Sequence, residues 1–525
     1  MKKYLILFLL AVCVGVNAQF RMSVGKKNGP QSPMQKMQVA EFFINNLYVD
    51  SVNEQKLVED AIRGMLEKLD PHSSYMTAKE TQQMNEPLSG SFEGIGVQFN
   101  MIEDTLVVIQ TIVNGPSEKA GILPGDRIVS VEGEAIAGVK MPRDKIMKLL
   151  RGPKDTMVKL GIIRRGVKEP LYFNVIRDKI PLKTVDASYM IKPKVGYIRL
   201  STFGATSADE VASAIDSLKK CGMRDLIFDL QDNGGGYLDA AHKIAEEFLL
   251  KDDLIVFTQG RSTPRHDYKA LGNGKMQKGK IVVLINEFSA SASEIVSGAL
   301  QDQDRATIVG RRSFGKGLVQ RPFVFEDGSM IRLTTAHYYT PSGRCIQKPY
   351  KKGDLKDYQM DLDNRYKHGE FTNIDSIHFD ESQKYYTLRK HRLVYGGGGI
   401  MPDYFVPLDT TKYTRFHRNL VLKNIVLTSN LKYIDNHRKE LKAKYKKFAE
   451  FKKNYEVPQE LLETIFEEGK KQKITPKDEA EKNLTLPYLK AQLKALIARD
   501  LWDMSEYFEI MNEHNEIVQK ALTLF

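Results

Sequence analysis

The run Ile281-Val282-Val283-Leu284-Ile285 leads into Ser289-Ala290-Ser291-Ala292-Ser293-Glu294 and then into the apolar residues 295–300. This order predicts a buried β-strand, a tight turn of small residues and a helix. A serine at such a turn is accessible to a ligand, and the free N–H groups at the helix start can stabilise a developing oxyanion. The alternative interpretation is a helix N-cap with close helix packing and no chemistry.

A lysine between two glycines follows in Gly315-Lys316-Gly317-Leu318-Val319-Gln320. The glycines allow the backbone to approach closely and to enclose the lysine side chain. A serine paired with a desolvated lysine is a known alternative to the Ser-His-Asp triad in acyl transfer. A solvated loop is the alternative interpretation of this segment taken alone.

A third segment supplies consecutive glycines after another apolar strand. Leu226-Ile227-Phe228-Asp229-Leu230 runs into Gln231-Asp232-Asn233 and then into Gly234-Gly235-Gly236. Successive glycines let backbone N–H groups face a bound group. Because the P-loop spacing is absent, we predict an oxyanion donor that complements the turn at Ser291. A plain strand-to-helix turn is the alternative.

The ordered series of motifs resembles the carboxyl-terminal processing peptidases, the family of tail-specific serine proteases with an embedded PDZ domain. The resemblance extends from the amino-terminal part of the chain almost to position 410. Outside the three segments above, the matching motifs are Leu69-Asp70-Pro71-His72-Ser73-Ser74-Tyr75, Phe92-Glu93-Gly94-Ile95-Gly96-Val97, Pro124-Gly125-Asp126-Arg127-Ile128, Tyr338-Tyr339-Thr340-Pro341-Ser342-Gly343-Arg344 and Gly399-Ile400-Met401-Pro402-Asp403.

The resemblance assigns roles to particular residues. It implies that Ser291 is the nucleophile, that Lys316 is the general base and that Gln320 orients this pair. It also implies that the oxyanion hole is formed by the backbone N–H groups of two residues, Gly235 and Ala292. Many relatives have Asn-Pro-Gly-Gly where this chain has Asn233-Gly234-Gly235-Gly236, and the loss of proline loosens that loop.

The implied mechanism requires a neutral lysine. Lysine has an ordinary pKa of about 10.4 and is protonated at neutral pH, but burial can lower this pKa by several units. Neutral Lys316 would take the proton of Ser291, protonate the leaving amine and then activate water for deacylation. We therefore expect activity to rise with pH through the titration of Lys316.

Residues 90–180 alternate short strands with two helices, and the resemblance implies that this segment is the PDZ domain. By resemblance, the loop Gly94-Ile95-Gly96-Val97 binds a peptide's terminal carboxylate through backbone N–H groups, and the peptide pairs along the strand edge at 97–101. A simple turn is the alternative interpretation of this loop. Arg151 matches the family's gating arginine, which reports ligand occupancy to the active site.

The amino-terminal residues predict export. Met1-Lys2-Lys3 is positively charged, residues 4–16 are apolar, and Val16-Asn17-Ala18 has the form of a signal-peptidase site. We therefore expect residues 1–18 to be a signal peptide and the mature protein to reside in the periplasm or cell envelope. A lipid anchor on Cys13 is disfavoured because the residue before it fits a lipoprotein signal poorly.

The composition excludes several functional classes. The chain has 525 residues and a net charge of +12 from 78 basic and 66 acidic residues, a modest excess that does not predict nucleic-acid binding. Three cysteines are too few for a disulfide scaffold, and zinc-ligand spacing is absent. Whether Cys221 pairs with Cys345 stays open. No metal or organic cofactor is implied.

The predicted fold class is α/β multidomain. After the signal peptide we expect four parts, namely a helical amino-terminal segment over 19–89, a PDZ domain over 90–180, an α/β serine-protease core over 181–410 and a helical carboxyl-terminal region over 411–525. A polar insertion at about 351–392 interrupts the core. Covering the cleft and mediating assembly are both open as roles for this insertion.

These features predict an exported serine endopeptidase that binds exposed apolar carboxyl-terminal tails through its PDZ domain and cleaves proteins through an acyl-enzyme. The predicted partners are protein or peptide substrates, an adaptor or regulator, and further copies of the same chain. The alternative function is a catalytically silent or gated PDZ module that binds tails as a chaperone, because a fold alone does not prove activity.

Overall fold

The computed structural model describes residues 32–525, and the chain divides into one compact unit that ends at Met65 and another that comprises Leu66–Phe525. The predicted signal peptide and Cys13 lie outside the described residues. Within residues 32–525, no helix combines the length and apolar character that crossing a membrane requires.

The amino-terminal residues form two helices, α1 (Pro33–Leu47) and α2 (Glu54–Glu67). Helix α1 begins at Ser32, whose hydroxyl accepts a hydrogen bond from the Gln35 N–H, and proline occupies the first helical position. The break between the helices coincides with the polar segment 50–53. Strand β1 (Ser74–Met76) and helix α3 (Ala78–Asn85) follow.

Residues 91–181 form the segment predicted to be a PDZ domain. Strands β3, β4, β5, β7 and β8 make one antiparallel sheet in that order, β6 pairs with β5, and β2 pairs with β9. Alternate side chains of β7 are fully buried, as expected for a sheet with one face on the core. The elements are β2 (Ser91–Gly94), β3 (Val97–Ile102), β4 (Thr105–Thr111), α4 (Pro116–Ala120), β5 (Arg127–Val131), β6 (Glu134–Ala135), α5 (Arg143–Leu150), β7 (Met157–Ile163), β8 (Leu171–Ile176) and β9 (Asp178–Pro181).

A largely parallel sheet forms the centre of the protease core, as the alternation of strands and helices predicts. Its strand order is β10-β11-β12-β15-β16-β21, and only the β10–β11 pair is antiparallel. The apolar run of β15 is buried at every position because helices cover the sheet. The elements up to β16 are β10 (Val185–Lys192), β11 (Val195–Leu200), α6 (Ser207–Lys220), β12 (Asp225–Asp229), α7 (Leu238–Glu246), β13 (Leu254–Gln259), β14 (His266–Lys269), β15 (Ile281–Ile285), α8 (Ala292–Asp302) and β16 (Thr307–Gly310).

A second, antiparallel sheet was not predicted from the sequence. Strands β17 (Leu318–Val324) and β18 (Met330–Tyr339) form a hairpin, and β18 also pairs with β1 and β13. Tyr75 of β1 lies opposite Ile331 of β18. The sheet therefore brings the motif at 69–75 beside the hairpin that follows the predicted catalytic lysine.

The polar insertion at about 351–392 is folded. It contains α9 (Leu355–Gln359), α10 (Asp361–Lys367), two short 3₁₀ turns and a hairpin of β19 (Lys384–Tyr386) with β20 (Leu393–Tyr395). The glycine run 396–399 and strand β21 (Tyr404–Phe405) then return the chain to the central sheet.

The carboxyl-terminal region is helical, and all but its last helix share one apolar core, in which Phe451 is fully buried. Its helices are α11 (Arg415–Leu422), α12 (Ile425–Lys444), α13 (Phe448–Asn454), α14 (Gln459–Lys471), α15 (Glu479–Leu501), α16 (Met504–Met511) and α17 (Glu516–Leu522). Helix α12 contacts the PDZ segment through an Asp435–Arg127 ion pair of 2.5 Å, and α17 packs Val518 under the central sheet. The predicted fold class is confirmed.

The ion pair between Arg344 and Asp302 lies in the protease core, with both side chains fully buried and 2.7 Å apart. We predict that Arg344→Ala lowers the free energy of unfolding by about 3–5 kcal/mol, because it leaves the Asp302 charge buried without a partner. Urea unfolding followed by circular dichroism measures the loss. Lys275→Ala, which removes an exposed pair with Asp216, is the control and should lower the free energy of unfolding far less, because solvent screens an exposed ion pair. Equal losses in the two variants would contradict the prediction.

Candidate active site

The turn before α8 holds Ser291 in an unusual backbone conformation. Its φ is 56° and its ψ is −112°, a region that non-glycine residues rarely adopt. Such strain costs on the order of 1–3 kcal/mol and is found where a side chain must be presented in one direction. Ser291 is partly exposed, whereas Ala292 and the rest of α8 are buried. The turn thus presents one hydroxyl on an otherwise buried helix.

The glycine loop after β12 lies directly against this turn. A Cβ atom on Gly235 would lie 2.8 Å from Ser291 Cβ and 2.9 Å from the Ala292 nitrogen, so only glycine fits there. The loop is fastened by Asn233, whose carbonyl oxygen accepts hydrogen bonds from the Ala290 N–H at 3.0 Å and the Ser293 hydroxyl at 2.8 Å. The two predicted oxyanion donors are therefore neighbours.

The two predicted donors differ in their hydrogen bonding. The Gly235 N–H donates to Asn233 Oδ1 at 2.9 Å. Across residues 32–525, the Ala292 N–H makes no hydrogen bond. Asn233 therefore occupies one of the two predicted oxyanion donors, which the sequence did not indicate.

The loop that carries Lys316 is enclosed by two other backbone segments. A Cβ on Gly317 would lie 2.8 Å from the Gln347 nitrogen, and a Cβ on Gly315 would lie 3.2 Å from the Gly399 nitrogen. Gly315 also has a φ of 88°. The glycines on both sides of Lys316 thus allow the close packing that encloses the lysine.

The carboxylate of Glu294 joins the serine turn to the lysine loop. One oxygen accepts hydrogen bonds from the Ser291 N–H at 2.7 Å and the Lys316 N–H at 2.9 Å. The other accepts from the Ser313 hydroxyl at 2.5 Å and the Gly315 N–H at 2.7 Å. Burial raises the pKa of Glu294 to about 7, while these donors favour the carboxylate. No role was predicted for Glu294 from the sequence, although a serine followed three residues later by a glutamate is the pattern of a helix capping box.

A second group connects the same two segments. The Tyr338 hydroxyl donates to the Lys316 carbonyl oxygen at 2.5 Å and lies 3.1 Å from the Ser291 carbonyl oxygen. Tyr338 is buried, and its burial raises the pKa of the phenol well above the ordinary value. Ser291 and Lys316 therefore share two polar partners, which places their backbones side by side.

The side chain of Lys316 is held by Gln320. Within the described part of the chain, Lys316 Nζ donates one hydrogen bond, to Gln320 Oε1 at 2.9 Å. The Gln320 amide nitrogen donates in turn to the His72 carbonyl oxygen at 2.5 Å. Burial, with a smaller contribution from the charge of Arg332, lowers the pKa of Lys316 to about 8. A large fraction of this amine is thus neutral at mildly alkaline pH.

Three of the four predicted tail-binding residues, Ile95, Gly96 and Val97, line a separate groove of about 270 Å³, and Gly94 does not. Phe99 of β3 and two apolar residues of α5, Met147 and Leu150, also line this groove. A groove of this size and character suits an apolar side chain at the end of a peptide.

Arg151, the predicted gating residue, lies at the rim of this groove. Its guanidinium pairs with Glu86 at 2.6 Å and lies 4.8 Å from the centre of the Phe92 ring.

The sequence left open whether Cys221 pairs with Cys345. Within residues 32–525, both cysteines are free thiols.

We predict that Glu294→Gln reduces the rate at which a fluorophosphonate labels Ser291 by at least ~10-fold, because the glutamine amide faces two of the four donors. The same change should lower the free energy of unfolding by about 2–4 kcal/mol. Labelling is followed by intact-protein mass spectrometry. Glu246→Gln is the matched control, since its carboxylate accepts one hydrogen bond, from the Leu271 N–H at 2.8 Å. Equal labelling rates in all three proteins would contradict a role for Glu294.

Comparisons with known protein families match four segments of the chain. Sequence profiles match the chain for an "Activating protease CtpB N-terminal domain" at 14–81, a "PDZ domain" at 94–175, "Peptidase family S41" at 194–357 and a "Family of unknown function" at 416–503.

Three relatives carry the comparison further. The carboxy-terminal-processing protease of Bartonella bacilliformis is 41% identical over 311 residues, which are 58% of this chain and 70% of the relative. The carboxy-terminal processing protease CtpA of Bacillus subtilis is 36% identical over 353 residues, 65% of this chain and 75% of the relative. CtpB of the same organism is 38% identical over 318 residues, 60% of this chain and 66% of the relative. The chain therefore belongs to the carboxy-terminal processing proteases, the PDZ-containing serine proteases of peptidase family S41.

Proposed function

We propose that this protein is an endopeptidase that cleaves proteins with a Ser291–Lys316 dyad and selects them by their carboxyl-terminal tails. The observation that carries the proposal is the pair of shared partners, Glu294 and Tyr338, which hold the serine turn and the lysine loop together. The strained Ser291 backbone and the lowered pKa of Lys316 add independent support.

The proposed reaction begins when the neutral amine of Lys316 turns from Gln320 towards the Ser291 hydroxyl. Ser291 Oγ attacks the peptide carbonyl carbon while its proton passes to Lys316 Nζ. The resulting ammonium then protonates the leaving amine, and the C–N bond breaks to give an acyl-enzyme and a neutral lysine. Water attacks the ester with Lys316 again as base, which releases the new carboxyl terminus and restores Ser291.

Backbone N–H groups stabilise the oxyanion in this proposal. The free Ala292 N–H lies at the amino end of α8, where the helix dipole also favours negative charge. Gly235 is the second donor, and its N–H must exchange Asn233 Oδ1 for the substrate oxygen. Substrate binding then replaces a neutral hydrogen bond with one to a developing anion, which is stronger.

A gated or silent tail-binding module is the second candidate function. Two contacts favour it, because Lys316 Nζ donates to Gln320 and the Gly235 N–H donates to Asn233. In this arrangement neither group is engaged with Ser291 or with a substrate oxygen. The Arg151–Glu86 pair at the rim of the groove is a candidate for the connection between tail binding and such gating.

The proposal also includes export of the protein and self-association of the chain. The charged, apolar and small-residue pattern of residues 1–18 supports export to the periplasm or cell envelope. Helix α1 has no buried residue and exposes Phe42 and Phe43, which supports self-association of the chain. An adaptor protein stays a prediction from family resemblance alone.

We predict that the protein from Gln19 onward cleaves an unfolded substrate that ends in small apolar residues, and that Ser291→Ala and Lys316→Ala each abolish cleavage. Mass spectrometry of the fragments gives both rate and position. Lys452→Ala is the control for loss of another partly buried lysine, which lies in the carboxyl-terminal helices and pairs with Glu509. Cleavage that survives either dyad substitution would remove that residue from the proposal. If only tail binding is found, the gated module is supported.

We also predict that Met147→Glu weakens binding of a fluorescent peptide with an apolar free carboxyl terminus by at least ~10-fold, or about 1.4 kcal/mol. The new carboxylate replaces an apolar wall of the groove and repels the peptide's terminal charge. Fluorescence anisotropy gives the affinity. Met157→Glu is the matched control because Met157 is 61% exposed on β7 and does not line the groove. Unchanged affinity for Met147→Glu would contradict tail binding at this groove.

A further inference from the structure

The polar insertion is packed against the loop that carries Lys316. Arg365 of α10 is buried and donates to the carbonyl oxygens of Arg312 and Ser313 at 2.8 and 3.1 Å. Asp361 accepts from Lys348 Nζ at 2.8 Å. These contacts fix the residues that lead into the lysine loop and one of the two segments that enclose it, so the insertion is part of the walls of the candidate active site.

A closed series of hydrogen bonds runs from Lys316 through the insertion and back to the lysine loop. Lys316 Nζ donates to Gln320 Oε1, and Gln320 Nε2 donates to the His72 carbonyl oxygen. His72 Nε2 lies 2.8 Å from the hydroxyl oxygen of Tyr358 in α9. Gln347 Nε2 donates to that hydroxyl at 3.4 Å, and Gln347 Oε1 accepts from the Gly317 N–H at 2.9 Å.

The donors present fix part of this series. Gln347 Nε2 can only donate, so the Tyr358 oxygen accepts from it, and the direction of the hydrogen bond between Tyr358 and His72 Nε2 depends on the His72 tautomer. His72 is neutral, because burial, reinforced by the charge of Lys316, lowers the pKa of His72 to about 3. Burial likewise raises the pKa of Tyr358, so its hydroxyl keeps the hydrogen. All members of the series are thus neutral when Lys316 is neutral.

The Tyr358 ring has little freedom to move. It is 7% exposed, it packs edge-on against His72 with 5.2 Å between ring centres, and Lys348 Nζ lies 4.1 Å from its centre. Phe314, two residues before Lys316, packs edge-on at 6.1 Å. The hydroxyl is therefore held at one place relative to His72, without a loss of side-chain entropy during the reaction.

We propose that Tyr358 is a positioning residue for the lysine base. Its hydroxyl fixes the His72 loop, the His72 carbonyl oxygen orients the Gln320 amide, and the amide oxygen holds the Lys316 amine in the position from which it turns to Ser291. The inference rests on the proposed Ser291–Lys316 function. The proposal gives the insertion a part in catalysis that requires the Tyr358 hydroxyl. A role in packing alone would require only the Tyr358 ring.

The test compares Tyr358→Phe with the unmodified protein. The phenylalanine keeps the ring packing and removes one hydroxyl, so the variant should fold. We expect kcat, expressed per active site titrated with a fluorophosphonate, to fall by at least ~10-fold with KM changed by less than about two-fold. A purely structural role would lower the number of titrated sites but not the turnover of each site. Tyr350→Phe is the matched control, because Tyr350 packs against Tyr358 and its hydroxyl is outside the series.

A double-mutant cycle with Gln320→Ala tests the route of the effect. If Tyr358 acts through Gln320, then Tyr358→Phe should cause no further loss of kcat in the Gln320→Ala background. Full kcat in Tyr358→Phe, or losses that multiply in the double variant, would overturn the inference while the proposed function stands. Absence of Ser291-dependent turnover in the unmodified protein would overturn the proposed function and this inference together.

Discussion

The carboxylate of Glu294 is the interaction on which the candidate site depends. Its two oxygens accept four hydrogen bonds, from the backbone of Ser291, Gly315 and Lys316 and from the Ser313 hydroxyl. The Tyr338 hydroxyl and the Phe314 N–H, which donates to the Ser289 carbonyl oxygen at 3.0 Å, are further connections between the serine turn and the lysine loop. A buried carboxylate without its four donors would be costly, and the donors without the carboxylate would be unsatisfied, so each side requires the other.

Segments far apart in the chain complete the site around this carboxylate. The loop at 70–73 supplies the carbonyl oxygen that holds Gln320, and the insertion supplies Tyr358. The carboxyl-terminal helices pack against both the PDZ segment and the central sheet. The groove lined by Gly96 and Val97 and the serine turn thus belong to one compact unit, which extends from Leu66 to Phe525.

Local sequence signals predicted the elements that carry the site, but not how distant elements meet. The apolar run of β15 and the small residues before α8 predicted the strand, turn and helix. The pairing of β1 with β18 was not predictable, because residue pairs such as Tyr75 and Ile331 leave no trace in local periodicity. The folding of the insertion was equally hidden, since its polar composition resembles a solvated loop although Tyr358 is buried.

The most direct measurement of the central claim is the rate of fluorophosphonate labelling of Ser291 as a function of pH. The pKa of Lys316 is lowered to about 8, so the neutral base accumulates as pH rises through 8, and Glu294 ionises through about 7. We predict a labelling rate that is half-maximal near pH 8 and falls steeply below pH 7, because Lys316 and Glu294 are then both protonated. In Lys316→Ala, the rate should no longer depend on the ionisation of Lys316. A rate that is constant from about pH 6 to 9, or a profile unchanged in Lys316→Ala, would contradict the assignment of Lys316 as the base.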